Sequence, residues 1–111
     1  MITKSKYGNK KTEYDNIIFD SKREKERYVE LKALEKIGII KDLKTQVSFE
    51  LQPKYKIGNK TIRAIKYVCD FVYIKNEKYV VEDVKGFETE VFKIKRKMFE
   101  YVTKTELKII K

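Results

Sequence analysis

The sequence contains no histidine and only one cysteine, Cys69, among its 111 residues. A lone cysteine excludes an intramolecular disulfide and a multi-cysteine zinc site. The absence of histidine removes Ser-His-Asp and Cys-His catalysis and every His-ligated metal centre. Any chemistry that the chain performs must therefore use carboxylates, lysines, hydroxyls or a hard metal ion.

Long hydrophobic runs are also missing. No segment approaches the roughly 18–20 consecutive apolar residues that span a bilayer, and the start at Met1 lacks the apolar run of a signal peptide. These features predict a soluble, cytoplasmic protein with no membrane partner.

Acidic residues are few relative to basic ones, because 27 Lys and Arg stand against 17 Asp and Glu and give a formal net charge of +10. Such an excess favours a polyanionic partner, with nucleic acid as the first candidate and a merely solvated basic surface as the alternative. Hydrophobic residues reach 41%, with 8 Tyr and 6 Phe, which is enough for a folded core. We predict a single domain over residues 1–111, with the lysine-rich residues 1–14 as a basic N-terminal arm or irregular first segment.

The first half of the chain shows a helical pattern followed by an extended one. A capping box at Ser21–Glu24 and a C-terminal glycine, Gly38, predict a helix over about 21–37. Apolar and polar residues then alternate over 43–51 until Pro53 stops the run. This alternation predicts a strand with one solvated face.

The second half predicts a hairpin, a helix and a last strand. Two runs rich in Val, Ile, Tyr and Phe, 62–74 and 78–85, predict a hairpin at the buried centre of a sheet. An amphipathic helix over 89–103 and a strand over 106–110 follow. The predicted apolar stripe of that helix consists of Val91, Ile94, Met98 and Val102. The resulting order α-β-β-β-α-β is that of an α/β protein.

The predicted hairpin brings charged residues together. Asp83 and Lys85 are two residues apart on a strand and therefore leave the same face, whereas Glu82 leaves the other. A two-residue loop at Asn76–Glu77 places Asp70 directly across from Asp83. A three-residue loop is the alternative, and it would place Glu82 opposite Asp70 and send Lys85 to the wrong face.

Two carboxylates that face each other in a sheet destabilise it unless a cation lies between them. An all-oxygen site in a protein without histidine suits Mg²⁺ or Mn²⁺. We therefore interpret Asp70 and Asp83 as metal ligands with Lys85 nearby. The alternative is a structural arrangement in which Lys85 is only a counter-ion.

Glu24 is the third carboxylate of this set. On a helical wheel it lies between Tyr28 and Leu31, so it points at the sheet from the first helical turn. A core-facing carboxylate needs a partner. A role in the capping box and a role in the metal site both remain open, and the two can coexist.

Four segments together resemble a known family: 6–10, 19–22 with Glu24, 67–73 and 81–86. They are similar to the phage-associated DUF1064 proteins, which resemble the PD-(D/E)XK nuclease superfamily. The resemblance implies a restriction-endonuclease-like core, a mixed central sheet flanked by helices. It further implies metal ligation by Asp70, Asp83 and the Val84 carbonyl, a helix carboxylate at Glu24, and Lys85 as the residue that orients the attacking water. One departure is that Cys69 stands where many superfamily members have proline.

Basic side chains elsewhere are candidates for phosphate contacts, and the alternative for each is a solvated or snorkelling side chain. Gln46, on the solvated face of its strand, is a candidate for touching DNA or ordering a water. The predicted DNA-binding residues are Lys10, Lys11, Gln46, Lys93, Lys95, Arg96 and Lys97.

The sequence thus predicts a Mg²⁺- or Mn²⁺-dependent DNA endonuclease. The resemblance implies action on branched DNA such as Holliday junctions during phage recombination, as a homodimer in the bacterial host. One rival is a non-catalytic DNA-binding module with a nuclease-like fold, and another is a sequence-specific nuclease of restriction type.

Overall fold

The larger elements follow one another in the predicted order α-β-β-β-α-β in a computed structural model that describes residues 11–111. Two small β-hairpins are added, one before the first helix and one between the first two long strands. The elements are β1 (Thr12–Tyr14), β2 (Ile17–Phe19), α1 (Lys22–Lys36), β3 (Lys41–Gln52), β4 (Tyr55–Ile57), β5 (Lys60–Ile62), β6 (Ile65–Lys75), β7 (Lys78–Val84), α2 (Glu90–Thr103) and β8 (Leu107–Ile110).

The central sheet has four strands in the order β3-β6-β7-β8. The first two neighbouring pairs are antiparallel, and β7 and β8 are parallel. Parallel neighbours need a crossover connection, and α2 provides it. A mixed α/β architecture with two helices is therefore confirmed over residues 11–111.

The two helices cover opposite faces of this sheet. Consecutive residues of a strand point to opposite faces, and Phe71 and Val72 of β6 enter different core clusters. Phe71 packs with Tyr28 and Leu31 of α1. The second cluster, on the face of Val72, includes Phe92 and Phe99 of α2.

The hairpin between β6 and β7 has the predicted two-residue turn. Asn76 and Glu77 both have positive φ, 52° and 65°, as a type I′ turn requires. Lys75 pairs with Lys78, and the same register continues to Phe71 opposite Glu82. The first of the two predicted registers is confirmed, and the three-residue loop is excluded.

The prediction that all apolar residues of β3 share one face is wrong. Leu43 packs against the cluster beside α1, whereas Val47 packs against the cluster beside α2. Between them Gln46 has a φ of 53°, in the left-handed region. A residue in that conformation breaks the two-residue period of the strand. The odd-numbered side chains before Gln46 therefore lie on one face of the sheet, and those after Gln46 lie on the other.

Strand β6 changes faces at the neighbouring position. Cys69 belongs to the cluster beside α2 and Phe71 to the cluster beside α1, although an unbroken strand would place them on one face. The residue between them is Asp70, and the β3–β6 register places it across from Gln46. Both strands therefore deform at the level of a predicted site residue.

Helix α1 begins and ends as predicted. Ser21 is its N-cap, and Gly38 follows the C-cap with a φ of 85°, which suits glycine.

The predicted apolar stripe of α2 is wrong except at Met98, which packs against the cluster beside α2. Phe92 and Phe99 face the core, whereas Val91, Ile94 and Val102 are exposed by 64%, 59% and 48%. Phenylalanine rings bury more apolar area than aliphatic side chains do, so the helix is rotated to bury the two rings.

The predicted N-terminal arm over 1–14 is only partly described, because residues 1–10 lie outside the described residues. At its end, Thr12–Tyr14 is a strand paired with Ile17–Phe19, so this part is not irregular. Within 11–111, neither helix is long and apolar enough to cross a bilayer.

Candidate active site

The β6–β7 ladder ends where two aspartates face each other. Its last pair is Phe71 and Glu82, and the next positions are Asp70 and Asp83. There the Asp70 N–H donates to Asp83 Oδ1 at 3.1 Å, and the Val84 N–H donates to Asp70 Oδ2 at 2.8 Å. The two carboxylates thus accept backbone donors where the strands diverge. We call this end of the β6–β7 pair, with Asp70 and Asp83, the fork.

Asp83 is the most enclosed member of the site, with 1% of its surface exposed. Its Oδ2 accepts a hydrogen bond of 2.6 Å from the Tyr67 hydroxyl and lies 3.4 Å from the Lys85 Nζ. Lys85 also lies 4.8 Å from the centroid of the Phe92 ring. The side chain of Lys85 is 34% exposed, so its ammonium can face both Asp83 and solvent.

Glu24 approaches the fork from α1, as the helical wheel predicts. It is 3% exposed, and its Oε1 accepts a hydrogen bond of 2.9 Å from Gln46 Nε2. The Asp70 carboxyl lies close enough to Glu24 to lower its pKa. Glu24, Gln46, Asp70, Asp83 and Lys85 therefore form one continuous polar group.

The capping box is only half present. Ser21 Oγ accepts from the Glu24 N–H at 3.1 Å, as predicted. The Glu24 carboxylate, however, accepts from the N–H of Asp20 at 3.2 Å and not from that of Ser21. One oxygen of Glu24 thus accepts from the N–H of Asp20, the residue before the N-cap, and the other accepts from Gln46.

Negative charge at the fork is unfavourable in the protein without metal. Burial, followed by the neighbouring charges of Asp83 and Glu24, raises the pKa of Asp70 to about 9, although the Val84 N–H opposes this. Burial is also the main reason why the pKa of Glu24 is raised, and the contact with Asp70 acts in the opposite direction. Among the described residues of this group, three carboxylates stand against the single ammonium of Lys85, and the group therefore favours an additional cation.

This shift predicts how the stability of the metal-free protein depends on pH. The folded state binds the Asp70 proton with a pKa of about 9 against an ordinary value of 3.8, so the unfolded state releases it first. The free energy of unfolding should therefore fall as pH rises from about 4 to about 9. Asp70→Asn should flatten that slope, as measured by urea unfolding in EDTA at several pH values. Equal slopes for Asp70→Asn and wild type would contradict the assignment.

The donor set fits a hard divalent ion. Within residues 11–111, no group of three or more His, Cys, Asp or Glu side chains is placed so that it could hold a metal ion. Mg²⁺ needs fewer, because it keeps several waters and is often held by one or two carboxylates. Asp70 and Asp83 supply these oxygens, Glu24 lies next to Asp70, and Val84, whose carbonyl is the implied fourth ligand, is bonded to Asp70 through its N–H.

A second polar cluster lies beside the fork, and sequence reasoning missed it. Glu82 is fully buried, and Arg27 of α1 donates to both of its oxygens, from Nε at 2.9 Å and from Nη2 at 2.7 Å. The Tyr73 hydroxyl also donates to Glu82. Arg27 is one turn after Glu24, and Glu82 precedes Asp83, so this cluster ties α1 to β7, two of the elements that carry the site.

The predicted DNA-binding residues have different surroundings. Lys10 lies outside the described residues, Lys11 is exposed, and Gln46 donates to Glu24. On α2, Arg96 donates to the Leu107 carbonyl at 3.2 Å and lies near Glu88 and Glu100, so it anchors the helix to β8. The lysines of α2 differ in exposure: Lys93 is exposed and near Glu90, Lys95 is half-buried, and Lys97 is exposed.

Comparison with known proteins identifies a family and nothing beyond it. The model of the family described as "Protein of unknown function (DUF1064)" matches residues 4–111, nearly the whole chain. No curated protein and no solved structure matches the chain. The chain therefore belongs to the DUF1064 family, as its sequence motifs predict.

Proposed function

We propose that the protein is a divalent-metal-dependent DNA endonuclease of the PD-(D/E)XK type, with a restriction-endonuclease-like core. The observation that carries the proposal is the pair of half-buried Asp70 and buried Asp83 at the fork, with the Lys85 ammonium 3.4 Å from Asp83. The Asp70 and Asp83 carboxylates can ligate a hard metal ion, and the Lys85 ammonium can stabilise charge on a phosphate. These are groups that metal-assisted hydrolysis of a phosphodiester uses.

The carboxylates of the fork would hold the ion. Asp70 and Asp83 would ligate it together with the Val84 carbonyl, and Glu24 would contribute from the helix side. When bound, Mg²⁺ or Mn²⁺ supplies a Lewis acid that polarises the phosphate and lowers the pKa of water. The hydrogen bonds from Tyr67 and from the Asp70 N–H fix the Asp83 carboxylate in its orientation before any ligand arrives.

Lys85 would act on the water and the phosphate. In hydrolysis a water oxygen forms a bond to phosphorus, a P–O ester bond breaks, and the water proton passes to the leaving oxygen through solvent. Lys85 orients the water and stabilises the negative charge that develops on the phosphate oxygens. The ring of Phe92 below it limits where the ammonium can go.

The proposed substrate is DNA, and its proposed form is branched. The net charge of +10 supports a nucleic-acid partner, and the resemblance to resolvase-like phage proteins supports junctions and a homodimer that cuts two strands in the host cytoplasm. To test this, labelled linear, nicked, flapped and four-way DNA are incubated with the protein in Mg²⁺, Mn²⁺ or EDTA. We expect metal-dependent cleavage that is fastest on four-way DNA, and no cleavage of any substrate would refute the nuclease proposal.

Glu24→Gln should separate the structural and chemical roles of this side chain. The substituted amide keeps one oxygen for the Asp20 N–H, and the Gln46 amide can turn so that its oxygen accepts from the new NH2 group, but the charge that would attract a cation is lost. The metal-free stability should therefore change by less than about 0.5 kcal/mol, while cleavage at low Mg²⁺ falls sharply. Chemical unfolding and a cleavage titration against Mg²⁺ measure the two effects.

Glu26→Gln is the matched control, since Glu26 is exposed on the same helix. It should leave both stability and cleavage unchanged. If Glu24→Gln lowers stability and spares cleavage, Glu24 has only a structural role.

A further inference from the structure

The β4–β5 hairpin is a projecting basic ribbon. Its turn has Gly58 at a φ of 59°, which suits the first central position of a II′-type hairpin turn. Every residue from 53 to 61 is exposed. The stretch 53–63 contains no acidic residue and four basic ones, all exposed: Lys54, Lys56, Lys60 and Arg63.

The packing of the described residues gives this hairpin no part in the core. None of its residues belongs to either hydrophobic cluster. Within residues 11–111, none of its four basic side chains forms an ion pair. Its charges are therefore available to a partner, and stability alone does not explain them.

The hairpin lies at the end of a ribbon that starts at the fork. Beyond Asp70 the strands β3 and β6 continue as a pair to Gln52 and Ile65, and the hairpin closes them. At about 3.4 Å per residue of extended chain, Ile65 at the end of β6 is roughly 17 Å from Asp70, the base of the hairpin at Ile62 is up to about 27 Å away, and its tip at Gly58 is up to about 41 Å away. The ribbon face away from α2 is open, with exposed side chains at Lys66 and Val68.

We propose that the β4–β5 hairpin binds the phosphate backbone of duplex DNA to one side of the scissile phosphate. This inference rests on the proposed nuclease function and extends it to the substrate. Phosphates along one DNA strand rise about 3.4 Å per base pair along the duplex axis, which is comparable to the rise of a β-strand per residue, so the hairpin can reach phosphates up to about 8–12 base pairs from the fork. Four cations without acidic neighbours are complementary to such a polyanion and not to an apolar or basic partner.

The test is DNA binding by the full chain in EDTA, where cleavage does not interfere. The hairpin variant carries Lys54→Gln, Lys56→Gln, Lys60→Gln and Arg63→Gln. The control variant removes four exposed lysines near the other end of the sheet, through Lys36→Gln, Lys41→Gln, Lys75→Gln and Lys78→Gln. Both variants have the same formal charge, since each loses four of the +10.

We expect the slope of log K against log[salt] to become shallower by about 2–4 in the hairpin variant, with affinity for duplex DNA lowered roughly tenfold or more at physiological salt. The control variant should change much less. The difference between the two variants should vanish when the duplex is shortened to below about 5 base pairs on the hairpin side, because the phosphates that the hairpin contacts are then missing.

Equal losses in both variants would overturn the proposal, because only net charge would then matter. Failure of the wild type to bind duplex DNA would overturn it as well. If binding depends on the hairpin but no metal supports cleavage, the hairpin is a DNA-binding element, whereas its placement beside a scissile phosphate and the nuclease proposal both fail.

Discussion

Asp83→Asn is expected to lower DNA cleavage by at least about a hundredfold while DNA binding persists. Asp83 would be a metal ligand, and its Oδ2 also meets the Lys85 ammonium at 3.4 Å. Lysine and arginine contacts to phosphates supply most of the affinity for DNA, and the substitution removes none of them. Cleavage and gel-shift assays on one preparation measure both effects.

Asp42→Asn provides the matched control, because Asp42 is exposed and has a φ of 57°, which asparagine tolerates. It should leave cleavage unchanged. Lys85→Ala is a second test, because it leaves the Asp70 and Asp83 carboxylates unchanged. It should also abolish cleavage. Undiminished cleavage by both Asp83→Asn and Lys85→Ala would contradict the assignment of the active site to the fork.

Arg27→Met is expected to destabilise the protein by about 3–5 kcal/mol. Glu82 has no exposed surface and receives two hydrogen bonds from Arg27, so the substitution leaves a buried carboxylate without its cation. The same change loosens α1, which carries Glu24, from β7, which carries Asp83. Urea unfolding measures the loss of stability.

The double variant Arg27→Met with Glu82→Gln removes both charges and should recover most of the lost stability. Arg23→Met is the control, because Arg23 is 41% exposed and its ion pair with Glu30 should contribute less than about 1 kcal/mol. If the single and double variants are equally unstable, the loss comes from packing of the arginine stem and not from the unpaired carboxylate.

The parts of the fold that local rules control were predictable. Asn76 and Glu77 form the expected two-residue turn, and this turn alone fixes the register that brings Asp70 to Asp83. The helical period likewise placed Glu24 toward the sheet. Each of these predictions depends on residues that are close in sequence.

The parts that failed depend on tertiary packing. The positive φ of Gln46 reverses the faces of β3, and nothing in the alternation of that segment indicates it. The choice of Phe92 and Phe99 over the aliphatic stripe of α2 depends on the space below the helix. Arg27 and Glu82 are 55 positions apart, so no local spacing indicates their pairing.

Direct binding of a divalent cation at the fork tests the central claim most directly. Mn²⁺ is titrated into the metal-free protein, and electron paramagnetic resonance reports the ion that remains free. We expect the wild type to bind Mn²⁺, Mg²⁺ to displace it, and Asp70→Asn and Asp83→Asn to bind it far more weakly, while Asp42→Asn binds it as wild type does. Equal Mn²⁺ binding by wild type and both fork variants would contradict the assignment of the metal site to Asp70 and Asp83.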